Sequence, residues 1–214
     1  MDHMRRTYKR HKLDREQLLD DPIAQFQLWF SEAGEATHPE WLEINAMTLS
    51  TCDLNGHVWS RIVLLKAVDE RGFTFFTNYH SAKGQQIAAN PRAALLLYWP
   101  HIERQVRVEG IVEKTESDIS DAYFQSRPRG SQIGAIISPQ SQVVHDYHSL
   151  EIMAAEKEQE FSNQTLPRPD HWGGYRLKPT RLEFWQGRPN RLHDRFIYSR
   201  DSAANHWQIG RIAP

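Results

Sequence analysis

Cysteine is all but absent: Cys52 is the only one in 214 residues, so no intramolecular disulfide can form and a reducing compartment is expected. Long apolar runs are missing too. No segment approaches the roughly 20 apolar residues of a membrane-spanning helix, and no apolar stretch of signal-peptide length follows the basic opening MDHMRRTYKRHK. The expectation is a cytoplasmic protein. There is no charge excess, since 26 Lys and Arg face 27 Asp and Glu, so no global field draws the molecule to nucleic acid or an anionic membrane. Any cations that matter act locally. Also missing are GxSxG, HExxH, a P-loop and a GxGxxG after a strand, the signatures of several hydrolase and nucleotide-binding sites. His145 and His148 in HDYH have no third ligand placed by spacing, so a surface pair is the simpler reading and no metal is expected.

What is present suits one sizeable domain. Apolar residues make up 39% of the chain, with seven Trp and nine Phe, and a chain of this length buries roughly 70% of its unfolded surface. Residues 1–20 are polar and basic and are expected to form a mobile arm, in which Arg5, Arg6 and Tyr8 could close over an anion or remain a solubilising tail. Residues 21–214 are expected to form the single domain. Asp21-Pro22 starts a helix whose Ile23, Phe26, Trp29, Phe30 and Ala33 share one face. Short strands follow at 46–53, 58–68, 73–78, 92–99, 104–114, 174–177, 181–186, 191–198 and 206–211, with Asn55-Gly56 as a hairpin turn. Helices are expected at 82–89, 117–126, 131–137 and 147–161. The class is mainly β with peripheral helices, and sequential antiparallel strands suggest a closed barrel.

Candidate chemistry lies in clusters of local cations. In RLHDRF, strand alternation would put Arg191, His193 and Arg195 on one face, with Leu192 and Phe196 turned to a core. Two arginines flanking a histidine suit a bound anion, and a solvated edge face accounts for them equally well. RIVLLK, from Arg61 to Lys66, has a cation at each end about 17 Å apart, too far for one phosphate but suited to two anionic groups. Lys83 stands in the first turn of a helix, unfavourable for the helix dipole unless an anion is near. Tyr123, Arg127 and Ser131 recur at intervals of four, with Pro128 breaking the helix between them. Gln105 could pair with the edge of a flat heterocycle, while Gln140 and Ser141 have hydrogen-bonding capacity without diagnostic spacing.

RIVLLK, TNYHSAKG, ERQVRVEG, YFQSRPRGSQIGA, SPQSQ, WGGYR, EFWQG, RLHDRF and the terminal RIAP, in that order, resemble the pyridoxamine 5'-phosphate oxidase family from about residue 20 onward. The resemblance implies an FMN-binding split β-barrel, a homodimer with FMN at the subunit interface, and oxidation of pyridoxine and pyridoxamine 5'-phosphates to pyridoxal 5'-phosphate with O2 reduced to H2O2. It implies that Arg61, Ile62, Val63, Leu64, Leu65, Lys66, Phe76, Thr77, Lys83 and Gln105 hold FMN from one subunit, and Gln140, Ser141, Trp185 and Arg195 from the other. Lys66, Tyr123, Arg127 and Ser131 would hold the substrate phosphate, Arg191, Leu192 and His193 would meet its ring, and Arg5 and Tyr8 would close over it. One departure stands out: the family's SRKG is SAKG here, so Ala82 brings no guanidinium, which could weaken FMN by about 1.5 to 3 kcal/mol unless another cation compensates. Two other functions fit part of the pattern: a split-barrel flavin reductase with a nicotinamide or deazaflavin partner, and a non-catalytic flavin or pyridoxal-phosphate-binding protein.

Overall fold

The structure, a computed structural model, describes residue 8, residues 12–200 and residues 206–214. Helix α1 (Pro22–Glu35) starts where Asp21 accepts the Ile23 N–H, with proline in the first turn where no amide is needed. Strands β1 (Ala46–Cys52), β2 (Val58–Leu64), β3 (Ala67–Asp69) and β4 (Gly72–Asn78) precede α2 (Ala82–Ala89), and β5 (Arg92–Trp99) and β6 (Arg104–Lys114) follow it. Next come α3 (Ser117–Ser126), α4 (Arg129–Ile137) and α5 (His148–Glu160), then β7 (Trp172–Gln186), β8 (Asp194–Ser199) and β9 (Gln208–Arg211).

Every strand pairing is antiparallel. The sheet runs β2-β1-β5-β6-β7-β4-β3, with β8 and β9 branching from β7. No ladder among the described residues joins β2 to β3, so the curled sheet is a split barrel and not the closed one that strand spacing suggested. The 15-residue β7 is its spine. It pairs with β6 along its length, while its other edge takes β4 over the first half and β8 over the second. The two short strands expected at 174–177 and 181–186 are therefore one.

The core lies inside the curl and under α1. Phe26 and Trp29 project from the apolar face of α1 and meet Phe73 and Phe184 edge to face, with ring centroids 4.8 and 5.2 Å apart. A second cluster of Phe124, Ile133, Leu166 and Trp172 seats α3 and α4 on the start of β7. Gly173 and Gly174 allow this approach, because a Cβ on either would collide with the Tyr79 hydroxyl or with Thr115 Oγ1 and the Phe76 ring.

Two sequence expectations change here. Leu13 and Leu18 are buried in the core, the Leu13 N–H donates to Asp194 at 3.0 Å, and the Tyr198 hydroxyl donates to the Leu19 carbonyl at 2.7 Å. Residues 12–20 thus pack on the body, and the rest of the expected arm, apart from Tyr8, lies outside the described residues. The strand expected from 191 begins at Asp194, since Gln186–Asp194 is the last pair that β7 offers. Before it, Pro189 opens a short 3-10 turn, and Asn190 and Arg191 take left-handed φ values of 56° and 61°. Leu192, expected in the core, is 67% exposed.

Candidate active site

At one end of β7 lies a cavity of about 450 Å3 bounded by the end of β2, by β4, by the start of α2 and by the α3–α4 junction. Its cations are Lys66, Lys83 and Arg127. Among the described residues none of these, nor Arg61 behind Lys83, forms an ion pair. For Lys83, Arg127 and Arg61, which burial draws out of water, this is costly unless an anion arrives, because desolvated charges are normally paired; Lys66 is exposed.

Lys83 shows the cost most clearly. Ser81 caps α2 and places Lys83 in the first turn, where its ammonium donates to Thr77 Oγ1 at 3.2 Å, Ser81 Oγ at 3.3 Å and Gln140 Oε1 at 3.0 Å. All three acceptors are neutral. Burial, reinforced by the nearby Arg61 guanidinium, pulls the Lys83 pKa down to about 8. Arg61 does not line the cavity; it donates to the Leu49 carbonyl at 3.1 Å, to Thr51 Oγ1 at 2.6 Å and to Gln86 at 3.4 Å.

Tyr123, Arg127 and Ser131 line the same cavity despite the helix break at Pro128. The Arg127 guanidinium lies over the Trp172 ring, 4.6 Å from its centroid, with Nη1 buried and without a hydrogen-bond partner. Burial lowers its pKa as well. Tyr123 stacks on Phe76 at 3.9 Å, and the Lys66 ammonium stands 5.8 Å from the Tyr123 ring. Ile62, Val63, Leu64 and Thr77 complete the wall. Because β2 is the terminal strand, its outer edge leaves backbone amides and carbonyls unpaired. Leu65 instead points into the core, and its backbone is engaged by Asn45. Ser141 is exposed, left-handed and outside the lining.

A second constellation occupies the other end of β7. Register aligns Tyr98, Gln105, Trp185 and Arg195 in one row across β5, β6, β7 and β8, all on one sheet face and spanning about 14 Å. This is a flat strip of phenol, amide, indole and guanidinium. His193 packs on Trp185 at 4.7 Å, and Tyr8 meets both rings edge on, at 5.5 and 5.6 Å. Gly187 leaves room for the Tyr8 ring, which a Cβ there would strike. The Arg188 N–H donates to His193 Nδ1 at 3.1 Å, which leaves a neutral ring its proton on Nε2. Burial, then Arg191 and Arg195, lower the His193 pKa. Arg191 is exposed beside it, and Arg5 lies outside the described residues.

The two constellations stand at opposite ends of a strand roughly 40 Å long in contour. Gln140 belongs to the cavity with Lys83, and Gln105 belongs to the row with Trp185. Within one chain these two residues thus group differently from the other members with which the resemblance placed them. Trp172, Asn78 and Tyr98 are members that sequence reasoning missed; the WGG glycines mark the close approach at Trp172, but nothing local marks Asn78 or Tyr98. A larger groove of about 550 Å3 under α1 shares Lys66, but its apolar walls and Glu35 do not suit an anion.

Fold and geometry define a split-barrel protein with a cation-lined cavity and a separate flat aromatic strip. Residues 34–160 match the sequence profile described as pyridoxamine 5'-phosphate oxidase, and residues 172–214 match the pyridoxine 5'-phosphate oxidase C-terminal dimerisation region. The chain belongs to the pyridoxamine 5'-phosphate oxidase family. It is similar to the pyridoxine/pyridoxamine 5'-phosphate oxidase of Pseudomonas paraeruginosa, 54% identical over 99% of this chain and 97% of that one. The Ralstonia pickettii protein of the same name is 56% identical over the same shares. The crystal structure of PhzG from Burkholderia lata, in complex with tetrahydrophenazine-1-carboxylic acid, superposes with a TM-score of 0.87 at 29% identity, covering 96% of this chain and 99% of PhzG. A pyridoxamine 5'-phosphate oxidase-related, FMN binding protein from Nostoc punctiforme shares the fold, with a TM-score of 0.69 at 17% identity over 91% of this chain and 98% of its own. Among the described residues, no helix is long and apolar enough to cross a membrane.

Proposed function

We propose that this chain is a cytoplasmic, homodimeric, FMN-dependent oxidase that converts pyridoxine 5'-phosphate and pyridoxamine 5'-phosphate to pyridoxal 5'-phosphate, with O2 as acceptor and H2O2 as product. The observation that carries the reading is a cavity whose cations have no ion-pair partner among the described residues, two of them, Lys83 and Arg127, drawn out of water, with the Arg127 Nη1 orphan among them. Such a set fits phosphate esters, since each cation gains on binding what it lacks without a ligand. The chemistry that FMN supplies when bound is two-electron oxidation of the substrate's C4' carbon, with the electrons passed on to dioxygen.

The protein's share is binding and orientation. Lys83, backed by Arg61 and the first turn of α2, would hold the flavin phosphate. Lys66, Tyr123, Arg127 and Ser131 would hold the substrate phosphate. The Gln105-Trp185-Arg195 row would come from a second copy of the chain and lie against the flat ring, bringing Arg191 and His193 to the substrate. With Nδ1 accepting from Arg188, His193 would present Nε2–H as a hydrogen-bond donor to the substrate ring. The matched dimerisation region and the separation of the two half-sites along β7 support this sharing.

The test is to incubate purified protein, reconstituted with FMN, with pyridoxine 5'-phosphate and to follow peroxide and aldehyde absorbance together. Equimolar peroxide and aldehyde are expected. Flavin reduction that requires a nicotinamide, or ligand binding without oxygen consumption, would replace the reading with the reductase or the carrier.

A further inference from the structure

Glu183 is a buried carboxylate on β7, 3% exposed, directly behind the row of Tyr98, Gln105, Trp185 and Arg195. It faces the same side of the sheet as Trp185, two residues on. Cross-strand register sets it opposite Arg107 on β6, and Arg195 on β8 lies on its diagonal. Both guanidiniums reach it. Arg107 Nη2 donates to Oε2 at 2.8 Å and Arg195 Nε donates to Oε1 at 2.8 Å, so each oxygen serves a different arginine. Arg195 is tied once more, through Nη1 to the Ala213 carbonyl at 2.9 Å, and Arg107 Nε lies 3.0 Å from Glu109.

The geometry points to Glu183 as a positioning residue for the flavin, acting through Arg195; the inference rests on the function proposed above. Glu109 balances Arg107 from its far side, and one carboxylate between two guanidiniums fixes where the outer guanidinium stands. Without the charge, Arg195 and Arg107 face each other across an amide that can accept from one of them and donates toward the other. Arg195 then leaves the row. Charge screening, the competing role, has the opposite sign: removing the Glu183 anion would leave a net positive patch with a stronger attraction for an electron-rich ring.

The test is FMN binding to apoprotein, followed by quenching of flavin fluorescence, with folding checked by circular dichroism. Glu183→Gln is expected to raise the FMN Kd at least about tenfold. Arg107→Gln, which leaves Glu183 to Arg195 alone, is expected to stay within about threefold of wild type. In the double-mutant cycle, Glu183→Gln with Arg195→Ala should bind FMN no worse than Arg195→Ala alone. Wild-type or tighter FMN binding by a folded Glu183→Gln variant overturns the inference. So do losses that simply add in the double variant, or an Arg107→Gln loss as large as that of Glu183→Gln. Should Glu183→Gln not fold, Glu183→Asp carries the test: its carboxylate reaches only one guanidinium, and FMN binding should weaken severalfold, with unchanged binding overturning the inference. A wild-type apoprotein that does not bind FMN at all counts against the proposed function instead.

Discussion

Lys83 stores the conflict that the cavity is built to resolve. In the free protein its pKa of about 8 lies below that of an unfolded lysine. Between pH 8 and about 10.5 the unfolded chain therefore holds more protons, and this residue's contribution to stability rises with pH across that window. Lys83→Met should raise the melting temperature of apoprotein near neutral pH while weakening FMN, a trade visible by thermal unfolding beside flavin titration. A bound phosphate restores the charge, so calorimetry at pH 8.5 in buffers of different ionisation enthalpy should report proton uptake on FMN binding, and none at pH 6.5 from this group. Arg127 is the counterpart for the substrate. Arg127→Ala should raise the KM for pyridoxine 5'-phosphate by about 10- to 100-fold, equivalent to one charge-assisted contact, and unchanged kinetics would remove the cradle.

At the scale of elements, legibility depended on whether a signal was local. Tyr123, Arg127 and Ser131 could be read because intervals of four survive a proline break that only re-aims the helix. RLHDRF misled because period-2 alternation runs straight through the left-handed Arg191, which continues the turn at Asn190; the strand waits for the end of β7 to pair with it. Leu13 and Leu18 were hidden by their polar neighbours, although both are buried. No local pattern could have shown which end of the sheet holds Gln105 and which holds Gln140, since that is decided by the long-range register of β7 with β4, β6 and β8. The glycine pair of β7 carries a prediction of its own. Gly174→Ala pushes a methyl against Thr115 and Phe76, so it should destabilise the fold by about 1 to 3 kcal/mol in denaturant unfolding and disturb the cavity wall.

At the scale of the whole molecule, the proposed function makes the cavity and the row two halves of one site that a single chain holds apart. The cation-lined cavity and the flat row are held apart by the strand that supports both. On that proposal the site is completed by two copies, each giving its cavity to the other's row, as an isologous pair does. Subunit sharing can be read directly by pairing two damaged chains. Arg127→Ala breaks only the cavity and Arg195→Ala only the row, so a purified heterodimer of the two would contain one doubly damaged site and one intact one. With FMN and substrate held near the wild-type Kd and KM, it should recover about half of wild-type oxidase activity, although each parent homodimer, binding FMN or substrate weakly, retains little. A heterodimer as inactive as its parents would contradict the account, because each site would then lie within a single chain.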